Sequence, residues 1–420
     1  MDCYVVRPGP PLSGTVRAAG MTKNAGLKQM AAALLAPGTT TLRNMTTVAD
    51  LQTMIELLGA IGADVARVDD EVLAVTVPDD LVPEAPYELV SRMRASINVL
   101  GPLLARTGTA RVAMPGGDAI GSRKLDMHFA ALEAMGAELA VVHGFIEARC
   151  NALCGARQVL EFPSVGATET MLTAAVLAKG SSVIENAARE PEVRDLATLL
   201  CKMGARIEGA GTSTIEVEGV DELRPVEHSV IGDRIEAGTL LFAAAVAGGD
   251  VTVEGIDMSD LEMVCRKLGE MGAEISRVPD GVRIRRDERL TAVDIQTLPF
   301  PGFATDFMPL AVATLATADG SAIVTENIFD NRFAFVNELQ RMGADVRTEG
   351  RHAVVRGVER LSGAPVRAHD VRAGAALVLA GLSAEGETVV VDSYHVERAY
   401  ADLPGKLRAL GADVERQQRV

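Results

Sequence analysis

The sequence predicts an α/β protein made of six similar units, grouped as two domains of three, with helices inside and small sheets outside. Three observations predict it. A Gly-Ala motif closes an apolar, helix-periodic segment six times, alternating strand-like residues follow each motif, and several further helical segments are apolar on nearly every side. The 420 residues suit two large domains of this kind, since one domain commonly takes ~100–200 residues.

The repeat is read directly from the residues. Its copies are Leu58-Gly-Ala-Ile-Gly-Ala-Asp-Val65, Leu132-Glu-Ala-Met-Gly-Ala-Glu-Leu139, Cys201-Lys-Met-Gly-Ala-Arg-Ile207, Leu268-Gly-Glu-Met-Gly-Ala-Glu-Ile275, Leu339-Gln-Arg-Met-Gly-Ala-Asp-Val346 and Leu407-Arg-Ala-Leu-Gly-Ala-Asp-Val414. The glycines of their Gly-Ala pairs, Gly62, Gly136, Gly204, Gly272, Gly343 and Gly411, lie 74, 68, 68, 71 and 68 residues apart. That period is longer than the ~20–50 residues of solenoid arrays, the other architecture that repeats suggest.

Each copy places Leu and Met at helical spacing before a glycine suited to the left-handed position just past a helix end. A strand is expected at once. After Gly343 the residues alternate about a turn through Val358, as a hairpin does. A second kind of strand is expected at Ser182-Val-Ile-Glu-Asn, Asp250-Val-Thr-Val-Glu-Gly, Ser321-Ala-Ile-Val-Thr-Glu-Asn and Thr388-Val-Val-Val-Asp-Ser. The segments Met171–Ala178, Leu240–Val246 and Ala375–Leu382 are apolar all round, which places those helices in the interior.

Composition narrows the function. Hydrophobic residues at 48% and charged residues at 23% describe a folded chain. Aromatics at 3% with no Trp argue against base-stacking and sugar-stacking platforms. A formal charge of −16 repels nucleic acid and anionic membranes, so no partner of either kind is expected. An anionic ligand must then be caught by a local basic cluster. Cys3, Cys150, Cys154, Cys201 and Cys265 are scattered, which suggests neither a disulfide framework nor a metal site. The start lacks a basic region followed by an apolar one, and no apolar run approaches the ~18–20 residues of a membrane span. A cytoplasmic location is expected.

Four segments carry polar residues that periodicity does not explain. Lys23 and Asn24 precede an apolar helix, where a cation and an amide can meet an anion, although a surface lysine beside a capping Asn reads the same way. Arg94 in Ser91-Arg-Met-Arg-Ala-Ser96 is followed by a loop, Pro115-Gly-Gly-Asp-Ala-Ile-Gly-Ser-Arg123, and then by Lys124, Asp126 and His128. Asp118 on such a loop is a candidate acid or base able to move over a substrate, or else part of a solvated loop. Ser164, Val165 and Gly166 open the Met171 helix, where they suit a phosphate or ordinary capping. Asp306, Ile328, Arg332, Asp370, Arg372 and Arg398 stand at the ends of successive repeats, either as a base with an anion clamp or as structural ion pairs.

Together, Lys23-Asn24, Arg94, Pro115–Arg123, Ser164-Val-Gly-Ala-Thr168, Ala188-Arg-Glu-Pro-Glu192, Gly232-Asp-Arg-Ile-Glu236, Thr305-Asp306, Asp370-Val-Arg372 and Arg398 resemble the enolpyruvyl transferases, over about Leu12 to Glu415. The resemblance implies a two-domain inside-out α/β barrel with six repeats, three per domain. It implies domains of residues 1–21 with 230–420 and of residues 22–229, the latter carrying the Gly-Gly-Asp loop, and an active site in the cleft that they form. It implies transfer of the enolpyruvyl group of phosphoenolpyruvate to the 3′-hydroxyl of UDP-N-acetylglucosamine with release of phosphate, without metal or other cofactor.

By the same resemblance, Lys23, Arg94, Arg123, Arg372 and Arg398 clamp anions, Asp306 is the base, and Asn24 orients the sugar. Asp126 accepts a bond from uracil, and Ser164, Val165 and Gly166 meet the nucleotide. Lys124, Ile328, Arg332 and Asp370 complete the substrate contacts, and Asp118 is proton donor or product-release group. Asp118 replaces the family's usual cysteine, the target of fosfomycin, so resistance to that antibiotic is expected. Acting as donor would require burial or a neighbouring anion.

Two more departures are Lys124 in place of a proline and one extra residue at Met21-Thr22. They motivate a second reading, a paralogue that uses the 3′-hydroxyl of UMP or a related nucleotide. A regulatory homologue that binds a sugar nucleotide without turnover is the non-enzyme alternative. Lys-Asn in place of Lys-Ser, with the Pro-Gly-Gly-Asp loop, argues against the shikimate-pathway synthase.

Overall fold

The computed structural model describes residues 2–20, 23–118 and 120–418. Two compact units emerge from the packing, one of Met1–Thr22, Asp118–Ser122 and Gly232–Val420, the other of Lys23–Gly117 and Arg123–Ile231. Each contains three four-stranded sheets, and all six sheets share one pattern: a parallel edge pair, then two antiparallel pairings. The sequence repeat is therefore a structural repeat.

Each copy of the Gly-Ala motif ends a helix in the same way. The helices Ala49–Ile61, Asp126–Ala134, Pro191–Lys202, Glu262–Glu270, Val336–Arg341 and Leu403–Ala409 all run into it. The six glycines have φ of 105, 92, 111, 106, 86 and 99°, a region L-residues avoid. At every copy the glycine N–H bonds the carbonyl three residues back and the alanine N–H bonds that of a buried leucine five residues back, at 2.9–3.1 Å. This paired closure satisfies carbonyls that a helix end leaves open and turns the chain straight into the next strand. The hairpin after Gly343 forms as Asp345–Glu349 and His352–Arg356.

Six further helices are Lys23–Ala33, Leu100–Thr107, Val165–Ala175, Arg234–Ala247, Met308–Leu315 and Val371–Gly381, and Tyr87–Val90 and Tyr394–Glu397 are single turns. Every residue of Met308–Leu315 and Val371–Gly381 is buried. Their alanines favour helix and allow close crossing. Strands such as His352–Arg356 alternate exposed and buried residues, because one sheet face covers these helices and the other meets water. The Met171 helix runs from Val165 to Ala175, starting and stopping earlier than its apolar run, since Ser164 caps it and the chain turns after Ala175.

Chain ends complete two sheets of the first unit. Strand Asp2–Arg7 lies between Thr388–Val391 and Asp413–Gln418, and Leu12–Arg17 pairs in parallel with Gly249–Glu254. In the second unit, Glu227–Ser229 returns to pair in parallel with Gly38–Arg43. Residues 118–122, expected as a loop of the second domain, group with the first unit instead. The reason is local bonding: Asp118 meets Arg398, the Ser122 N–H bonds Asp330 Oδ1 at 3.0 Å, and the Asn331 N–H bonds the Ile120 carbonyl at 3.3 Å.

Candidate active site

Within each unit, Lys23, Asn24, Arg94, Ser164, Val165, Gly166, Asp306, Asp370 and Arg372 lie at the N-terminal ends of buried helical segments, where first-turn N–H groups lack partners inside the helix, and the other candidates lie in turns and at other helix ends. In the second unit these ends begin at Lys23, at the 3-10 turn Arg94–Val99 and at Val165. Lys23 and Asn24 lie inside the first turn, not before it. Lys23 Nζ is 2.6 Å from Asp50 Oδ2, a buried carboxylate on the neighbouring helix.

Arg94 donates to the main-chain carbonyl of Arg123, beside Gly117. Burial, with the charge of Arg123 added, pulls its pKa down to about 10. The charge of Arg123 is felt at Arg94, and two neighbouring cations of this kind suit an anionic ligand. Beyond them Lys124 and Asp126 are exposed, and Asp126 is the first residue of its helix. The Ser164 hydroxyl accepts the Ala167 N–H at 3.3 Å, which is ordinary capping, and leaves the first-turn donors of Val165 and Gly166 outside the helix ladder.

The first unit repeats the plan with acids at the helix starts. Asp233 and Asp370 are N-caps, Asp370 Oδ1 accepting the N–H groups of Arg372 and Ala373 at 2.9 and 3.1 Å. Asp370 thus starts the helix that carries Arg372. Asp306 sits at the third start, with Arg332 Nη2 at 3.2 Å and Arg372 Nη2 at 3.5 Å. Both arginines are buried, and Arg332 Nε and Arg372 Nη1 lack acceptors among the described residues. Burial opposes the charge of Arg372, but Tyr400, Asp306 and Asp233 outweigh it and hold its pKa above the ordinary value.

Asp233 is pushed up to about 7, chiefly by burial. The Tyr400 ring lies 5.2 Å from the Arg372 guanidinium, and its hydroxyl is 2.8 Å from Thr239 Oγ1. Glu326 accepts the Ile328 N–H at 2.7 Å and the Thr305 hydroxyl at 2.9 Å, which fixes the turn presenting Ile328.

The structure thus brings Asp306, Arg332 and Arg372 together, Asp118 against Arg398, and Arg94 beside Arg123. Asp118 faces the Arg398 guanidinium with its side chain 13% exposed, so the burial that a donor role requires is largely met while the cation favours the charged form. Sequence reasoning missed Asp50, Tyr400, Thr239 and Glu326. An acid inside the apolar run Val48-Ala49-Asp50-Leu51 and a tyrosine two residues after Arg398, in a chain with only four, were the available signals. Met21 and Thr22 lie outside the described residues. No group of three or more His, Cys, Asp or Glu among the described residues could hold a metal ion.

A model of the EPSP synthase (3-phosphoshikimate 1-carboxyvinyltransferase) family matches residues 6–407. The chain belongs to the EPSP synthase family. Among its relatives in that family, the UDP-N-acetylglucosamine 1-carboxyvinyltransferase of Corynebacterium jeikeium is 53% identical over 100% of both chains. That of Mycobacterium tuberculosis is 51% identical over 98% of both, and that of Myxococcus xanthus 50% over 100% of both. The crystal structure of the enolpyruvyl transferase NikO from Streptomyces tendae superposes with a TM-score of 0.88 at 25% identity, covering 99% of this chain and 98% of the other. EPSP synthase from Acinetobacter baumannii, at 18% identity over 100% of both chains and a TM-score of 0.74, shares the fold. Membership of the EPSP synthase family makes the chain an enzyme of carboxyvinyl transfer, and the six-repeat α/β fold is that of the enolpyruvyl transferases.

Proposed function

We propose that this chain transfers the enolpyruvyl group of phosphoenolpyruvate to the 3′-hydroxyl of UDP-N-acetylglucosamine, releasing phosphate, the first committed step of peptidoglycan synthesis. The observation that carries this reading is the shared name of full-length relatives at 50–53% identity. Both substrates are cytoplasmic metabolites, so the enzyme acts in the cytoplasm.

Lys23, Arg94, Arg123, Arg372 and Arg398 hold the phosphate and carboxylate, with Arg332 supporting Asp306; on a chain of charge −16 only such convergent cations can do so. Asp306 takes the proton of the attacking hydroxyl as oxygen bonds to C2, while C3 gains a proton from Asp118. The resulting ketal then loses phosphate and a C3 proton, restoring the double bond. An anion arriving on Arg398 competes with Asp118 for that guanidinium and places negative charge beside the carboxylate, which then takes a proton from solvent, hands it to C3 and takes it back when the ketal breaks down.

Asn24 orients the sugar, Asp126 accepts from uracil, and Ser164, Val165, Gly166 and Ile328 line the nucleotide and sugar. Asp370 acts through the helix that it caps, and Lys124 lies beside the uracil group. Phosphate release from phosphoenolpyruvate, measured with UDP-N-acetylglucosamine and in parallel with UMP, tests the reading. Turnover with UMP alone would replace the acceptor, and no turnover with either would leave a binding protein.

A further inference from the structure

His128 is a buried histidine for which the chemistry above has no use. It lies two residues after Asp126 on the helix Asp126–Ala134, which packs against the helix Val165–Ala175. Its Nδ1 is 2.8 Å from the Thr170 hydroxyl, one turn along from Gly166. A Cβ on Gly166 would stand 2.9 Å from His128 Cε1 and 3.0 Å from Nε2, closer than a side chain tolerates. The imidazole therefore spans positions 166 and 170 of the same helix face, and glycine at 166 makes room for it.

We propose that His128 is a positioning residue for the nucleotide acceptor, riveting the helix that begins at Asp126 to the helix that begins at Val165 and so setting the spacing between the uracil group and the diphosphate donors. This rests on the assignment of Asp126 and Ser164–Gly166 to the nucleotide. The groups around the ring fit a spacer and not an anion-binding cation. Burial, with Arg94 and Lys28 adding to it and Asp126 opposing, lowers its pKa to about 4, so the ring is neutral at physiological pH. A spacer acts on the ligand that touches both helices, so the acceptor is affected and phosphoenolpyruvate is not.

The test is steady-state kinetics with both substrates, together with calorimetric binding of UDP, on His128→Ala, Gly166→Ala and the double variant, each checked for fold by circular dichroism. His128→Ala is expected to raise KM for UDP-N-acetylglucosamine and Kd for UDP about tenfold, the size of one buried hydrogen bond with its packing, while KM for phosphoenolpyruvate and kcat stay within about twofold. Gly166→Ala displaces the ring and weakens UDP similarly, and the double variant is no worse than His128→Ala, because the contact is already gone. Unchanged UDP binding in His128→Ala, a parallel rise in both KM values, or additive losses in the double variant would overturn the proposal. Wild-type protein that binds UDP but turns over no UDP-N-acetylglucosamine would sink the acceptor assignment alone, and the UDP measurements would still decide the role of His128.

Discussion

Replacing Asp306 by Asn separates its two roles, base and counter-ion. The substitution keeps shape and one carbonyl oxygen but removes a charge shared by Arg332 at 3.2 Å and Arg372 at 3.5 Å. At an effective dielectric near 20 each attraction is about 5 kcal/mol gross, most of it offset by desolvation. The Asp306 side chain is 26% exposed, which puts the net loss at about 3 kcal/mol, the low end for breaking a buried pair. That loss falls on stability and shows as a lower unfolding midpoint in denaturant. Losing the base falls on rate, with kcat expected to drop about 10²–10⁴-fold in the phosphate-release assay. Phosphoenolpyruvate binding should persist, because the arginines remain. A variant that is destabilised as expected yet turns over within about threefold of wild type would refute the base assignment and leave Asp306 a counter-ion for two arginines.

Other predictions follow from single contacts. Because the His128 pKa falls from 6.5 to about 4 on folding, the unfolded chain binds the extra proton between those values; the stability is complete above pH 6.5 and declines as pH falls toward 4. The decline should be of order 3 kcal/mol in acid titration of the unfolding free energy, and His128→Gln should flatten it. Ala at Gly343, where nothing lies within 4 Å of the added Cβ, should cost about 1 kcal/mol through the left-handed backbone alone, with kcat unchanged; a cost above roughly 3 kcal/mol would mean hidden crowding. Fosfomycin should leave the enzyme active and unlabelled by mass spectrometry, since a carboxylate paired with Arg398 is a poor epoxide nucleophile, and Asp118→Cys should gain time-dependent inactivation. Tyr400→Phe loses the bond to Thr239 and loosens Arg372, so KM for phosphoenolpyruvate should rise about threefold to tenfold with little change for the nucleotide.

The sequence alone determined the repeat, because its punctuation is a backbone requirement. Gly62, Gly136, Gly204, Gly272, Gly343 and Gly411 each take a conformation that only glycine adopts readily, and a leucine four residues earlier closes the same turn, so six helix ends and six following strands are legible from local chemistry. The apolar Ala-rich segments were equally legible as interior helices, since they have no polar face to give to water.

What the sequence held only as a list of candidates was the company each side chain keeps. Asp306, Arg332 and Arg372 are separated by tens of residues and meet because two successive repeats of one unit bring the helix starts at Asp306 and Arg372 together with the turn at Arg332. Asp50 behind Lys23 and Tyr400 behind Arg372 have no motif of their own; their roles arise from tertiary contact between segments about 27 and 28 residues apart. The partner of Asp118 was likewise decided by tertiary structure, which set Arg398, 280 positions away, against a loop whose glycines permit many paths. Local chemistry fixes where a chain turns, whereas the charge that faces a carboxylate depends on long-range contacts that no short window of residues contains.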